Sequence, residues 1–268
     1  MCFQRIVLLL HLHSACALLQ SSYPMNLVID KGNTSVKCAV YDGDEQVVCR
    51  RTQAEDFSAN ALGELLGKYD IDCAACACSG GMPAWVPALL RERGIDWLVV
   101  TGATPAPLQS AYAEPEKLGG DRWAALIGAA ALSPDTPLLV CDAGTCLTFD
   151  VAMAGRHLGG MIVPGLSMRL RAMHDYTHAL PLVEAEGEAT VLAADTDSAL
   201  RAGALYGMAF ELSSYMIATK QNLTGVQCFL TGGDAERLVA LGLNDFRVEP
   251  DLVLIGLNKI LTYHYETT

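Results

Sequence analysis

The chain has 268 residues, 51% of them hydrophobic and 18% charged, which supplies a substantial core and excludes disorder. Its formal net charge is -12 with an isoelectric point near 4.8, and it has no Lys/Arg block, which argues against a nucleic-acid surface. Ten cysteines, most of them in or beside apolar runs, fit a reducing compartment rather than a disulfide scaffold.

The first 24 residues, MCFQRIVLLLHLHSACALLQSSYP, carry one Arg, an apolar run broken by His11 and His13, and then small residues. That order is the pattern of a secretory signal. The competing reading is an extension upstream of a true start at Met25. Strand-like sequence begins there with no linker, and the extension is the reading adopted.

Residues 27–29 and 35–41 predict an antiparallel hairpin, with 46–50 as a third strand. A helical pattern over 61–69, a small-residue strand over 73–79, a helix over 85–93 and a strand over 97–101 follow. The Pro-punctuated loop ATPAPLQSAYAEPEKLGGD then leads into a helix over 122–132. The pattern restarts with strands over 138–141, 147–151 and 157–163, and helices over 167–174 and 197–219. A strand over 229–231 ends at Gly232-Gly233, and a last helix covers 252–263. The repeat is weak but ordered, which signals internal duplication. It divides the chain into the extension (1–24), a first domain (25–133) and a second (134–268), with Pro134 and Pro137 at the boundary.

Each half interrupts its first hairpin with a polar insert. The first is Asp30-Lys31-Gly32-Asn33-Thr34 and the second Asp142-Ala143-Gly144-Thr145. A tight turn carrying Gly lets backbone N–H groups point at an anion, and Asn and Thr add donors. An Asp beside a bare phosphate is unfavourable unless a cation lies between them. One such turn could be a plain hairpin. Two, one per half, suggest jaws on a common cleft holding a nucleotide polyphosphate and a metal. The paired glycines of Phe229-Leu-Thr-Gly-Gly-Asp234 suit close backbone approach to a flat nucleotide, or an ordinary strand-to-helix turn.

Other polar clusters carry less. Cys73, Cys76 and Cys78 lack a fourth ligand at finger-like spacing. His174 and His178 lie four apart, but Pro181 follows and no third ligand is visible, so they read as helix-end or loop histidines. The sequon Asn222-Leu-Thr224 matters only in a secreted chain.

The three elements together resemble the acetate and sugar kinase, heat-shock and actin superfamily. Within it, the chain resembles the type III pantothenate kinases from Met25 onward. The resemblance is carried by residues 30–34, by Tyr112-Ala-Glu-Pro-Glu-Lys-Leu-Gly-Gly-Asp-Arg122 and by 142–145. Gly159-Gly-Met-Ile-Val-Pro-Gly165, residues 196–203 and Thr231-Gly-Gly233 complete it. It implies an α/β fold of two duplicated actin-like (ribonuclease H-like) domains, mixed sheets flanked by helices with a cleft between. The implied reaction is ATP-dependent phosphorylation of the primary hydroxyl of pantothenate, the first step of coenzyme A synthesis.

In that resemblance Asp121 is the general base and Arg122 holds the substrate carboxylate, with Tyr112, Gly119, Gly120 and Thr196 also at the substrate. Residues Asp30, Lys31, Gly32, Asn33, Thr34, Ser35, Val36 and Lys37, with Thr145, Gly232 and Gly233, are the implied ATP site. Asp30 is placed at a Mg2+ ion and Asp142 at a monovalent cation, K+ or NH4+. Thr196 implies a homodimer whose site is completed across the interface, with 199–215 as a dimer surface or as core, and the acidic charge and scattered thiols point to a cytoplasmic protein. No membrane or nucleic-acid partner is expected. The rivals are another small-molecule, sugar-type kinase of the superfamily and a non-catalytic accessory transcription regulator.

Overall fold

The structure is a computed structural model that describes residues 25–267; the extension over 1–24, and the two readings of it, lie outside the described residues. The first half contains β1 (Met25–Lys31), β2 (Ser35–Asp42), β3 (Glu45–Gln53), α1 (Ala59–Leu66), β4 (Cys73–Cys78), α2 (Trp85–Glu92), β5 (Asp96–Val99) and α3 (Gly120–Leu132). The second contains β6 (Leu138–Ala143), β7 (Cys146–Met153), β8 (Arg156–Pro164), α4 (Leu166–Asp175), α5 (Thr196–Asn222), β9 (Gln227–Thr231), α6 (Ala235–Val239), β10 (Arg247–Val248) and α7 (Leu252–Thr267). The short α6 and β10, and a 3-10 turn at Pro115–Lys117, add to what the sequence pattern predicts.

The strands form two sheets of five with one topology. Their orders are β3-β2-β1-β4-β5 and β8-β7-β6-β9-β10. In each, the first three strands run antiparallel and the last two join the central strand in parallel. The duplication legible in the sequence is therefore a duplication of sheet connectivity.

Central strands are apolar on both faces because both faces are covered. In β1, Leu27 and Ile29 join one core cluster and Val28 another. In β6, Leu139 and Cys141 face α4 and α5 while Leu138 and Val140 face α3 and α7. The same alternation splits the cysteine cluster of β4. Cys73 and Cys76 point to opposite faces, into separate cores, so they cannot share one ion.

Between the sheets lie α3 and α7. The first rests on β6 and β7 of the second sheet, and α7 rests on β1 and β4 of the first. The backbones of the two helices nearly touch. A Cβ on Gly256 would sit 1.7 Å from the Ala124 carbonyl oxygen, and one on Gly128 would sit 2.3 Å from that of Leu252. Polar ties join α7 to the first sheet. Asn26 Nδ2 donates to Asn258 Oδ1 at 2.7 Å, and Asn258 Nδ2 donates to the Gly43 carbonyl at 2.8 Å. No helix among the described residues is long and apolar enough to cross a membrane.

Candidate active site

The two polar inserts form matching turns at the ends of β1 and β6. Gly32 N donates to the Ser35 carbonyl at 2.9 Å, and Gly144 N donates to the Cys146 carbonyl at 3.0 Å. They face each other. The hydroxyls of Thr34 and Thr145 are 3.4 Å apart, although 111 residues separate them. The cleft they flank has a volume of about 970 Å3 and takes walls from both halves and the N-terminal ends of α3 and α7. A hollow of similar volume lies at the other ends of α3 and α7, and neither insert contributes to it.

Three carboxylates share this cleft: Asp30, Asp121 and Asp142. Burial pushes the Asp30 carboxyl up to about 6, with nearby Lys37 opposing and Asp121 reinforcing the rise. Burial likewise pushes Asp142 up to about 7, reinforced by Asp30 and then Asp121. Two acids held this way are poised for a cation, which would reverse both effects. Among the described residues no three His, Cys, Asp or Glu side chains converge into a metal-holding group. A divalent ion here would draw one carboxylate from the protein and the rest of its shell from phosphate oxygens and water, the usual habit of Mg2+. The donor set fits such an ion.

Asp121 stands in the first turn of α3, and its Oδ1 accepts the Arg122 backbone N–H at 2.8 Å. Of the two preceding glycines, Gly120 is required sterically and Gly119 leaves room for the carboxylate. A Cβ on Gly120 would lie 2.0 Å from the Val100 carbonyl oxygen, and one on Gly119 would lie 2.5 Å from Asp121 Oδ1. They let the helix start against the end of β5 with its carboxylate at the cleft.

Arg122 also lines the cleft, but most of its fork is already used. Nε donates to Asp150 Oδ2 at 2.8 Å, Nη2 to Asp150 Oδ1 at 2.7 Å, and Nη1 to the Tyr112 hydroxyl at 2.9 Å. Burial works against its charge, but the Asp150 hydrogen bonds outweigh it and hold the guanidinium protonated. Asp150 Oδ1 also meets His157 Nε2 at 2.9 Å.

Lys31 and Gly32 belong to the first turn, and Asn33, Thr34, Ser35 and Lys37 line the cleft beside Gly32. Val36 is buried in the outer core and points away. Lys37 Nζ donates to the Pro250 carbonyl and lies 3.9 Å from Asp251. Gly232 and Gly233 line the opposite wall. Gly232 has φ 97°, and a Cβ there would lie 2.5 Å from Asp142 Oδ1 and the Ala143 carbonyl oxygen, so only glycine fits. Thr196 is exposed at the start of α5, behind the cap in which Asp195 accepts the Ser198 N–H, and is not a wall residue of this cleft. His174 is in the last turn of α4, with Nδ1 bonded to the Leu180 carbonyl at 2.8 Å, and His178 lies in the loop beyond it.

The sequence reading passed over Ser79-Gly80-Gly81, Asp150 and His157. The first repeats the Thr231-Gly-Gly pattern at the end of the equivalent strand. Ser79 lines the cleft, and Gly80, at φ 100°, leaves room for the Asn33 side chain. Aligning the two halves strand by strand would have exposed it. Asp150 had no local signal, since its partner Arg122 lies 28 residues away, and His157 meets that arginine only through Asp150 and the Tyr112 ring.

The model of the type III pantothenate kinase family matches residues 26–218. A type III pantothenate kinase of Bacteroides fragilis is 38% identical over 241 residues, covering 90% of this chain and 98% of its own. One from Porphyromonas gingivalis is 36% identical over 247 residues, covering 89% and 98%. Among solved structures, a Campylobacter jejuni protein assigned to the Baf family of transcriptional activators superposes with a TM-score of 0.55 at 19% identity, covering 90% of this chain and 99% of its own. A Sinorhizobium meliloti protein assigned as a 2-dehydro-3-deoxygalactonokinase reaches 0.55 at 16%, with coverage of 90% and 99%. Such structural likeness establishes the shared two-sheet actin-like fold.

Proposed function

The chain belongs to the type III pantothenate kinase family, and from that premise we propose that it phosphorylates the primary hydroxyl of pantothenate with ATP, with Asp121 as general base. The observation that carries the reading is the meeting of Thr34 and Thr145 across a cleft that also holds Asp121. Two glycine turns from opposite halves offer hydroxyls and backbone N–H groups to a polyphosphate, and in this reading the Asp121 carboxylate of the same cleft faces the acceptor alcohol.

Phosphoryl transfer needs positioning and charge neutralisation more than covalent chemistry. In this reading Thr34 and Asn33 grip phosphate from the first half, where Gly32 closes the turn, and Thr145 does so from the second. Gly232 and Gly233 let the nucleotide lie close to the backbone. Asp30 is the residue that would hold Mg2+, and Asp142 the residue that would hold K+ or NH4+. A bound divalent ion supplies neutralisation of the phosphate charge. Asp121 orients the pantothenate hydroxyl and takes its proton, while the free N–H groups of Arg122 and the Tyr112 loop hold the carboxylate end.

Thr196 lies outside its own cleft, which supports a homodimer in which it completes the partner's site. Apolar side chains left exposed in the second half fit the same reading. They are Phe210 and Ile217 on α5, and Leu158, Met161 and Ile162 on β8, an edge strand. The acidic charge and free cysteines support a cytoplasmic enzyme.

The test is ATP consumption with pantothenate against a panel of sugars, with potassium present. Pantothenate alone is expected to turn over. Asp121→Asn is expected to lower kcat by a factor on the order of 10² to 10⁴ while calorimetry still detects pantothenate binding. Full turnover by that variant would remove Asp121 from the role.

A further inference from the structure

We propose that Asp150 and His157 are positioning residues for substrate recognition: from behind the cleft wall they lock the Arg122 guanidinium and the Tyr112 ring in one orientation, leaving a fixed pair of N–H groups for the substrate's carboxylate. The proposal rests on the pantothenate reading above and deepens it.

Of the four residues, only Arg122 reaches the cleft wall. Asp150 is 2% exposed and His157 fully buried. A guanidinium has five N–H donors. Asp150 takes two of them and Tyr112 takes one, so two remain. The Tyr112 ring stacks on His157 at 5.7 Å and 16°, and the Arg122 guanidinium carbon lies 5.7 Å from the Tyr112 centroid. His157 thus bears on Arg122 by two routes, through its ring face on Tyr112 and through its hydrogen bond to Asp150. Opposite Asp150 in the sheet register stands Gly160. A Cβ there would fall 1.8 Å from the Phe149 carbonyl oxygen, 2.8 Å from Asp150 Oδ1 and 2.9 Å from Arg122 Nη2. The strand is cleared of side chain at the point where the pair is housed.

Packing alone does not account for the histidine. The Asp150 carboxylate accepts from Nε2, which leaves His157 Nδ1 buried and without a partner. A buried polar atom left unpaired costs stability, and a phenylalanine would fill the space and keep the stack without that cost. A buried ion pair is likewise poor as a stabiliser but good at fixing one geometry. What imidazole supplies that phenyl cannot is the third hydrogen bond on Asp150, which pins the carboxylate and through it the plane of Arg122.

The experiment compares His157→Phe, His157→Gln and His157→Asn with wild type in steady-state kinetics of the full chain. His157→Phe keeps the stack and loses the donor. The Gln amide reaches where Nε2 was, and the Asn amide stops short. His157→Phe and His157→Asn are expected to raise KM for pantothenate roughly tenfold, the scale of one charge-assisted hydrogen bond, with kcat and the KM for ATP within about twofold. His157→Gln should recover most of the loss. Affinity for pantothenol, which has a neutral hydroxymethyl group in place of the carboxylate, should not change in any variant. If His157→Phe does not fold, the Asn and Gln variants carry the same comparison. Equal losses toward pantothenate and pantothenol, equal losses toward ATP, no loss, or no difference between Gln and Asn would overturn the proposal while leaving the kinase reading intact. Absence of pantothenate turnover in the wild type would sink both.

Discussion

Asp142→Asn should make the ligand-free protein more stable at alkaline pH while lowering its activity. The Asp142 carboxyl is pushed from an ordinary 3.8 to about 7 by burial and by the neighbouring Asp30 and Asp121. A raised acid binds its proton in the folded state at pH values where the unfolded chain has released it. Stability from this group is therefore fully present below about pH 4 and is lost as pH rises through about 7. Each tenfold change in proton affinity is worth about 1.36 kcal/mol, so ionised Asp142 costs at most about 4 kcal/mol at pH 8. Part of that cost belongs jointly to Asp30, and solvent in the open cleft screens some of it, leaving roughly 2–4 kcal/mol. At pH 5 the same arithmetic gives no more than about 1.7 kcal/mol. Asn is isosteric and cannot ionise. Thermal melts free of nucleotide and added cations should show the variant melting about 5–12 °C above wild type at pH 8, with a smaller gap at pH 5. A variant no more stable than wild type at pH 8, or a gap independent of pH, would refute the reasoning. The same change is expected to depress turnover, the usual trade of stability for a charged site.

If Asp142 holds a monovalent cation, activity should collapse in sodium-only buffer and return with K+; equal rates in both salts would remove that assignment. Gly256→Ala must push α7 away from Ala124, since its new Cβ would overlap a carbonyl oxygen at 1.7 Å. It should cost about 3 kcal/mol or more in chemical denaturation, and an unchanged midpoint would show that the two helices separate freely.

Much of the fold was legible before any coordinates. Period-2 and longer apolar runs placed nearly every strand and helix to within a few residues. The order of polar inserts exposed the duplication, because a turn that must hold charge at a strand end needs Asp, Gly and Thr whatever surrounds it. The elements that escaped were short, such as β10 with only two residues, where no periodicity can accumulate.

The sequence by itself determined two similar halves, each with a polar turn after its first strand, and a Gly-Gly-Asp-Arg segment opening a helix. Those are local properties, set by backbone sterics and by what fits within a few residues. Only the tertiary structure decided that Thr34 and Thr145 confront each other, and that Arg122 spends most of its fork on Asp150 with His157 behind it. These contacts join segments 7 to 111 residues apart across sheets that assemble through buried helices, and no periodicity in the chain encodes which distant carboxylate an arginine will meet.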